Sequence, residues 1–348
     1  MGFKIKVEPS GHVFDSGESE TILDAALRTG VLLPYGCRDG LCGACRGKVL
    51  SGEVDHGATP TAILSEAERE QGYALFCCAL ARSDLAIEGR EAHPSSEVQV
   101  RTFPVRVEKL TRVAPDVMIL ELKLPGSEQL HYLPGQYIEI LLSGGRRRAF
   151  SLAMAPGCEA GLQLHIRHVP GGQFTGHVFN AMKVRDMLRI NGPHGSFFLR
   201  EDSDKPMLLV AGGTGFAPIK AIVEHAIARG DHRPMTIYWG GKHPADLYLA
   251  DLAAGWGKTH SHIRYVPVLS GADAGDGWNG RCGLVHVAVM QDFPDLSGFQ
   301  VYVCGSPAMV AAARHDFVGH RALPEDEFIA DSFEFSRDTV SVGDGSHH

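Results

Sequence analysis

Three kinds of feature are absent from the sequence, and each absence excludes a class of protein. No uninterrupted apolar stretch reaches the length of about 18–20 residues that a membrane-spanning helix needs, so we expect no membrane span. Basic residues are not in surplus: the formal net charge is −8, which argues against a protein that binds nucleic acid. The chain opens with alternating apolar and polar residues, which is typical of a strand, and without the longer apolar core of a signal peptide. We therefore expect a cytoplasmic protein.

Cysteine is rare except near the front of the chain, where five of the eight cysteines lie. A disulfide scaffold is not expected in a chain of 348 residues without a secretion signal, and clustered cysteines in such a chain more often hold a metal or a cluster. Cys37, Cys42 and Cys45 give the spacing C-x4-C-x2-C, and Cys77 follows as a fourth. This is the ligand spacing of plant-type [2Fe–2S] clusters. We predict these four cysteines as the cluster ligands.

Two alternatives stay open for the cysteine loop. A structural zinc site would also use four cysteines, although its ligands usually come as two C-x2-C pairs. The fourth ligand has a neighbouring candidate, Cys78; Cys77 is preferred because the segment 75–79 resembles the ferredoxin pattern, in which the ligand stands two residues before an alanine. Three glycines at positions 36, 40 and 43 permit the tight backbone that four converging thiolates require.

A second motif is Arg148-Ala149-Phe150-Ser151, preceded by the strand-like sequence 133–137. It resembles the R-x-[YF]-S motif of the ferredoxin–NADP reductase family. The resemblance implies a flavin site, in which Arg148 binds phosphate, Phe150 lies against the isoalloxazine and Ser151 places a hydroxyl near its N5 atom. We count Ser151 among the catalytic candidates.

The flavin prediction gains support from two later segments. His165-Ile166-Arg167 is the first, and the second runs through Gly172, Gln173 and Thr175 at the start of a predicted helix. Glycines and a hydroxyl at a helix N-terminus form an anion site that suits a pyrophosphate. In the family, this G-x-x-[ST] pattern accompanies FAD, which we prefer over FMN.

A third motif follows a predicted strand at 207–211 and opens a helix: Gly212-Gly213-Thr214-Gly215. Glycines at such a turn let the backbone approach a dinucleotide pyrophosphate. Cys304-Gly305 ends a later strand and resembles the family segment beside the nicotinamide, so Cys304 is a second catalytic candidate, with a buried structural cysteine as the alternative. Phe333 is the third, because the segment 329–333 resembles the one that returns over the flavin.

The choice of nicotinamide cofactor rests on Lys242, at the end of the strand where the adenosine half would lie. A 2′-phosphate calls for positive charge in that pocket. No Ser/Arg pair accompanies Lys242, and Asp246 is near in sequence, so we predict NADH, with NADPH as the alternative.

The pattern of elements along the chain changes twice. Short strands separated by Gly and Pro turns over 100–202 predict an antiparallel barrel, and strands alternating with helices over 205–336 predict a doubly wound parallel sheet. Residues 1–92, where acidic side chains outnumber basic ones, form the predicted cluster domain. The polar stretch 91–99 is predicted as a linker, and 337–348 as a flexible tail.

Taken together, these motifs resemble the three-domain reductases of the ferredoxin–NADP reductase superfamily, which include the reductases of aromatic-ring dioxygenases, phenol and methane monooxygenase reductases and CDP-6-deoxy-Δ3,4-glucoseen reductase. The resemblance implies a multi-domain α+β and α/β fold: a β-grasp [2Fe–2S] ferredoxin, an antiparallel β-barrel for FAD and a parallel α/β domain for NAD. It also implies electron transfer from NADH through FAD and the cluster to a partner protein. An oxygenase component is the leading acceptor; a deoxysugar dehydratase or free flavin or iron is the alternative, and a non-catalytic redox-sensing module the minor one.

Overall fold

The computed structural model of the chain describes residues 2–40, 42–89, 98–126, 128–157, 161–272 and 277–333. Two compact units are present. The first unit comprises Met1–Ser96, Gly195–Phe197 and Ile329–Glu334, and the second unit comprises the rest of the chain. Most of the predicted linker and all of the predicted tail lie outside the described residues.

The first unit is built on a five-stranded mixed sheet. The strands of the unit are β1 (Phe3–Glu8), β2 (Val13–Ser16), β3 (Arg46–Ser51), β4 (Val54–Asp55), β5 (Tyr73–Leu75), β6 (Leu80–Ala81) and β7 (Leu85–Glu88). The helices of the unit are α1 (Ile22–Arg28) and α2 (Glu66–Glu70). The order in the sheet is β2-β1-β7-β3-β5, with β1 and β7 parallel, and β4 pairs with β6 separately. Ile5, Leu23 and Ile87 are completely buried in the core beneath this sheet, each contributing roughly 1.5–3 kcal/mol by leaving water.

Helix α1 shows how the sequence sets a boundary. The hydroxyl of Thr21 accepts a hydrogen bond from the backbone N–H of Asp24 at 3.1 Å and so caps the first turn. The helix ends before Gly30, whose φ of +83° is the left-handed conformation that favours glycine. Both ends of the helix are thus set by residues next to it in the sequence.

The second unit begins with an antiparallel barrel. Its elements are β8 (Arg101–Ala114), β9 (Val117–Lys123), β10 (Tyr137–Leu141), β11 (Arg147–Ser151), β12 (Leu162–Arg167), α3 (Gln173–Asn180) and β13 (Met187–His194). The strand order is β11-β10-β13-β8-β9-β12, and a bridge between Leu152 and Leu164 closes the sheet on itself. Phe103, Val105 and Val107 alternate with exposed residues along β8, so one face fills the barrel and the other meets solvent.

The second unit continues with a parallel sheet flanked by helices. The elements are β14 (Met207–Gly212), α4 (Phe216–Ala228), β15 (Met235–Gly241), α5 (Ala250–Thr259), β16 (Ile263–Leu269), β17 (Arg281–Cys282), α6 (Val285–Asp292), β18 (Gln300–Gly305) and α7 (Pro307–His320); a last strand, β19 (Phe328–Ser332), follows them in the chain. In the sheet order β17-β16-β15-β14-β18, strands β15 to β17 lie on one side of β14 and β18 lies on the other, so the order of strands reverses at β14 although all of them run parallel. That reversal is the switch point at which parallel α/β sheets bind ligands.

The predicted fold class is confirmed. Helix α7 extends to His320. Helix α6 begins at Val285, after Gly283, whose φ of +111° cannot continue a helix. Among the described residues no helix is long and apolar enough to span a membrane.

Candidate cofactor sites

The cysteine loop lies between α1 and β3 in the first unit. Sγ of Cys45 is 3.0 Å from Sγ of Cys77, so these two sulfurs form one close pair. Cys42 is hydrogen-bonded to the thiol of Cys37, and this contact, followed by burial, raises the pKa of Cys42 well above its usual range. Cys37 and Cys42 thus form one contact within the loop, and Cys45 forms another with Cys77, which follows β5.

The loop backbone turns its amides toward these sulfurs. The N–H groups of Cys37 and Ala44 donate to Sγ of Cys42, and that of Asp39 donates to Sγ of Cys37, each at 3.4 Å. Amides directed at thiolate ligands stabilise the charged sulfur and tune the potential of a cluster.

Two of the three predicted glycines adopt the conformation that the prediction required. Gly40 and Gly43 have φ values of +74° and +71°. A Cβ added at Gly40 would lie 2.5 Å from Sγ of Cys78, so this position also needs a glycine for space. Gly36 is crowded in another way: an added Cβ would lie 3.3 Å from Sγ of Cys42.

The neighbouring candidate, Cys78, lies beside the site and not in the core of the unit. Its Sγ is 3.7 Å from that of Cys77. Burial, followed by the Cys77 thiol, raises the pKa of Cys78 to about 12. The prediction that Cys77 is the ligand is favoured by its close pairing with Cys45, whereas Cys78 has only the longer contact.

Residues far away in sequence hold the loop in place within the first unit. The backbone N–H of Tyr35 donates to Oγ of Ser196 at 2.7 Å, and this hydroxyl donates back to the carbonyl of Tyr35 at 3.0 Å. Asp331 is buried beside Gly36, with its Oδ1 3.2 Å from the position of an added Cβ there. Burial and the neighbouring Cys37 raise the pKa of Asp331 to about 7. Sequence reasoning missed Ser196, and no local pattern marks it.

These residues fit a two-iron cluster better than a zinc ion. Zinc ligands usually come as two C-x2-C pairs. The spacing C-x4-C-x2-C with a distant fourth cysteine is instead that of [2Fe–2S] ligands, and the structure brings the thiol of Cys77 to the loop, 3.0 Å from that of Cys45. Metal binding to thiols releases protons, which the raised pKa values of Cys42 and Cys77 would otherwise retain.

The predicted flavin motif lies on β11, at one end of the barrel sheet. Phe150 is half-buried, and its ring centroid is 5.5 Å from that of Phe174 in α3. Ser151 is 5% exposed, and its hydroxyl is buried without a hydrogen-bond partner in the described structure. A buried hydroxyl without a partner costs roughly 1–3 kcal/mol, which a ligand atom would recover. The site therefore fits the flavin group.

The second flavin segment meets this motif at the start of α3. Thr175 Oγ1 accepts from the backbone N–H of Val169 at 3.1 Å, which closes the loop that leads into the helix. Gly172 is the N-cap residue of α3, and no side chain caps the helix there. The side-chain oxygen of Gln173 accepts a hydrogen bond from the guanidinium of Arg146. The N-terminal amides of α3 are thus available for a pyrophosphate.

The side chains of His165 and Ile166 are buried and packed against other residues of the second unit. Ile166 is completely buried in the barrel core, so it has only its backbone to offer. His165 is 5% exposed and its Nδ1 lies 2.9 Å from the hydroxyl of Tyr248, in the segment between β15 and α5. His165 therefore joins the barrel to the parallel sheet, a role that the sequence pattern did not predict.

Arg167, the third residue of that segment, brings the two nucleotide motifs together. Its guanidinium carbon is 3.5 Å from the position of an added Cβ at Gly213, and its NH2 group lies 3.2 Å from Oδ1 of Asp246. Asp246 in turn accepts from the backbone N–H groups of Lys242 and His243 at 2.8 and 2.9 Å. Lys242 thus follows the end of β15, next to a carboxylate that is already paired.

The glycine turn after β14 lies at the switch point of the parallel sheet. A Cβ at Gly215 would lie 2.1 Å from the carbonyl oxygen of Cys304, and Cβ atoms at Gly212 or Gly305 would each lie 2.6 Å from Met309. The structure therefore brings the turn and the Cys304-Gly305 segment together, as the prediction requires. Thr214 is half-buried in this turn, and Cys304 is completely buried. Phe333 belongs to the first unit, where it is half-buried.

Comparison with known families agrees with this arrangement. Residues 5–82 match the 2Fe-2S iron-sulfur cluster binding domain, residues 104–199 the oxidoreductase FAD-binding domain and residues 209–315 the oxidoreductase NAD-binding domain. One chain that carries all three is a flavin- and iron–sulfur-dependent NAD(P)H oxidoreductase.

Relatives that match along almost the whole chain identify the family. The CDP-6-deoxy-L-threo-D-glycero-4-hexulose-3-dehydrase reductase of Yersinia pseudotuberculosis is 43% identical over 96% of this chain and 99% of its own. The reductase component DmpP of phenol 2-monooxygenase from Pseudomonas sp. is 34% identical over 94% of each chain. The crystal structure of the cytochrome P450 reductase GcoB of Amycolatopsis superposes with a TM-score of 0.72 at 36% identity, covering 95% of this chain and 98% of that one. The chain belongs to this family of ferredoxin-containing reductases, which pass electrons from NAD(P)H through FAD and a [2Fe–2S] cluster to a partner.

Proposed function

We propose that the protein oxidises NADH and delivers single electrons to a separate acceptor protein of the sugar-dehydrase class. Bound FAD would supply a hydride acceptor for the nicotinamide, and a bound [2Fe–2S] cluster would supply transfer of single electrons. The observation that carries the proposal is the arrangement of four thiols as two close pairs in the first unit, together with an unpartnered Ser151 hydroxyl and a nucleotide turn in the second. Each cofactor has a prepared site.

For the cluster, we propose Cys37 and Cys42 as ligands of one iron and Cys45 and Cys77 as ligands of the other. Backbone amides of the loop stabilise the first pair of sulfurs. Ser196 and Asp331 act on the backbone that carries Cys37, through Tyr35 and Gly36. They are positioning residues.

For the flavin, we propose that Phe150 supports the ring system, Arg148 binds phosphate and Ser151 places its hydroxyl at the reacting edge. The amides at the start of α3 receive the pyrophosphate, for which Gly172 leaves room. The burial of Ser151 also keeps water away from the reacting atoms.

For the nicotinamide cofactor, we propose that Gly212–Gly215 binds the pyrophosphate and that Cys304 positions the reacting ring. Preference for NADH is supported by Asp246, because its carboxylate lies beside Lys242 and is paired with Arg167 at 3.2 Å, so a 2′-phosphate would have to displace that ion pair and then meet the carboxylate. A like-charge contact costs more than about 1.4 kcal/mol, so we expect kcat/KM to favour NADH over NADPH by at least about tenfold. Equal values for the two cofactors would contradict this assignment.

The choice of acceptor rests on degree of similarity. The dehydrase reductase is 43% identical to this chain, whereas the phenol hydroxylase component is 34% identical. The second candidate is an oxygenase component, supported by the GcoB match in sequence and structure. Each acceptor class is tested with purified protein, by following NADH consumption with a sugar dehydrase and, separately, with an aromatic oxygenase. Turnover with the oxygenase alone would replace the dehydrase proposal.

The electron path itself is tested by anaerobic titration with NADH. We expect the flavin and cluster absorption bands to bleach together. Bleaching of the flavin band alone would show that the cluster does not lie on the path.

A further inference from the structure

The end of helix α7 carries a cluster of side chains that no cofactor site uses. His315, Asp316 and His320 offer ligand atoms that all lie within 4.8 Å of one another. Nε2 of His315 and Nε2 of His320 are 3.3 Å apart, with their rings nearly perpendicular at 81°. Both imidazoles are exposed, and Asp316 is half-buried.

The distance between the two nitrogens suits a shared metal ion. Two imidazole nitrogens bound to one tetrahedral zinc ion at about 2.0–2.1 Å lie roughly 3.3 Å apart. Without a metal ion the two rings share a hydrogen bond at this distance, and a bound ion would take the place of its proton. The rings are thus already placed as a pair of ligands.

The carboxylate is held in position by a residue from a different helix. Nε2 of His286, on α6, lies 3.5 Å from Oδ2 of Asp316, and His286 is only 8% exposed. Asp316 and His320 are four residues apart, so they lie on the same face of α7. In metal sites of proteins, a residue that does not bind the metal often contacts a ligand carboxylate and orients it, and His286 is placed to do this for Asp316.

We propose that His315, Asp316 and His320 form a binding site for a divalent transition metal of the Zn²⁺ class, with water at the remaining position. Two imidazoles and one carboxylate favour Zn²⁺, Ni²⁺ or Cu²⁺ over Mg²⁺ and Ca²⁺, which prefer oxygen ligands. His315 lies about 12 Å along the helix from Pro307, which follows the predicted nicotinamide segment. A bound ion therefore stabilises α7 against α6 and leaves the NADH reaction unchanged.

The test uses the oxidised holoenzyme with its iron and FAD contents measured beforehand. Equilibrium dialysis against Zn²⁺, with metal analysis, should find one tightly bound zinc per chain, no loss of iron and a higher Tm. The double variant His315→Ala, His320→Ala should bind zinc on the order of 100-fold more weakly, because even second-contact changes cost about 10–100-fold in metal affinity. Its rate of NADH oxidation should equal that of the parent.

The matched control is a second histidine cluster in the same unit. His232, His260 and His262 have ring centroids 5.2 and 5.9 Å apart along the cluster. The double variant His232→Ala, His260→Ala should keep the stoichiometric zinc. The proposal fails if the parent binds no zinc, if the α7 double variant binds it as tightly as the parent, or if the control loses binding to the same extent.

Discussion

Replacing His165 with asparagine tests how the barrel is joined to the parallel sheet. Nε2 of His165 lies 3.2 Å from Oε1 of Gln163, and Nδ1 lies 2.9 Å from the hydroxyl of Tyr248. An amide oxygen only accepts, so the ring proton is on Nε2, and Nδ1 accepts from Tyr248. An asparagine at this position keeps an acceptor for Tyr248 but has no group that titrates.

The size of the effect follows from the burial of the ring. Burial, with the charge of Lys220 adding to it, lowers the pKa of His165 from 6.5 to about 3. As the pH falls below 6.5, the unfolded chain takes up a proton at this position while the folded protein does not. Stability is thus present at neutral pH and is lost as the pH falls toward 3, at about 1.4 kcal/mol per pH unit. Between pH 7 and pH 5 the loss is about 2 kcal/mol.

The assay is urea unfolding followed by circular dichroism at pH 7, 6 and 5. We expect the stability of His165→Asn to fall less steeply with decreasing pH than that of the parent, by about 2 kcal/mol over this range. The control is His131→Asn, at an exposed position, which should follow the parent. Parallel curves for His165→Asn and the parent would refute the reasoning, because the ring would then titrate alike in both states.

Three other variants test separate contacts. Cys77→Ser should lose the cluster but keep NADH-dependent ferricyanide reduction at the flavin, whereas Cys78→Ser should keep its iron; metal analysis and visible absorbance distinguish them, and an intact cluster in Cys77→Ser would move the ligand to Cys78. Gly215→Ala should raise the KM for NADH and lower stability by ~2 kcal/mol, because its Cβ would meet the backbone of β18; unchanged steady-state kinetics and Tm would contradict this. Lys220→Met should destabilise the second unit by about 2 kcal/mol, because its ammonium donates to the carbonyl of Ala153 and to a carboxylate, each at 2.8 Å; an unchanged urea midpoint would show that these bonds contribute little.

The sequence was sufficient where a function depends on neighbours along the chain. Three motifs are each confined to a short stretch of sequence: the three cysteines of the loop, the motif on β11 and the turn after β14. In each, the cofactor requires a fixed spacing of residues. The fold class followed because strands and helices bury side chains with different periods. Strands β4 and β6 were not predicted, since each has only two residues and too short a pattern. Helix α5 was also missed, because Gly255 and Gly257 weaken its helical pattern.

The tertiary structure alone decided which distant residues support those motifs. Ser196 reaches Tyr35 across 161 positions in the sequence, and Tyr248 reaches His165 across 83. No periodicity marks such pairs, because a hydrogen bond between remote segments depends on how strands are ordered in a sheet and not on the spacing of residues in one of them. The pairing of His286 with Asp316 has the same origin, since it depends on α6 and α7 lying side by side. The sequence by itself determined which cofactors the chain can hold, and the packing of its elements determined which side chains keep their sites in shape.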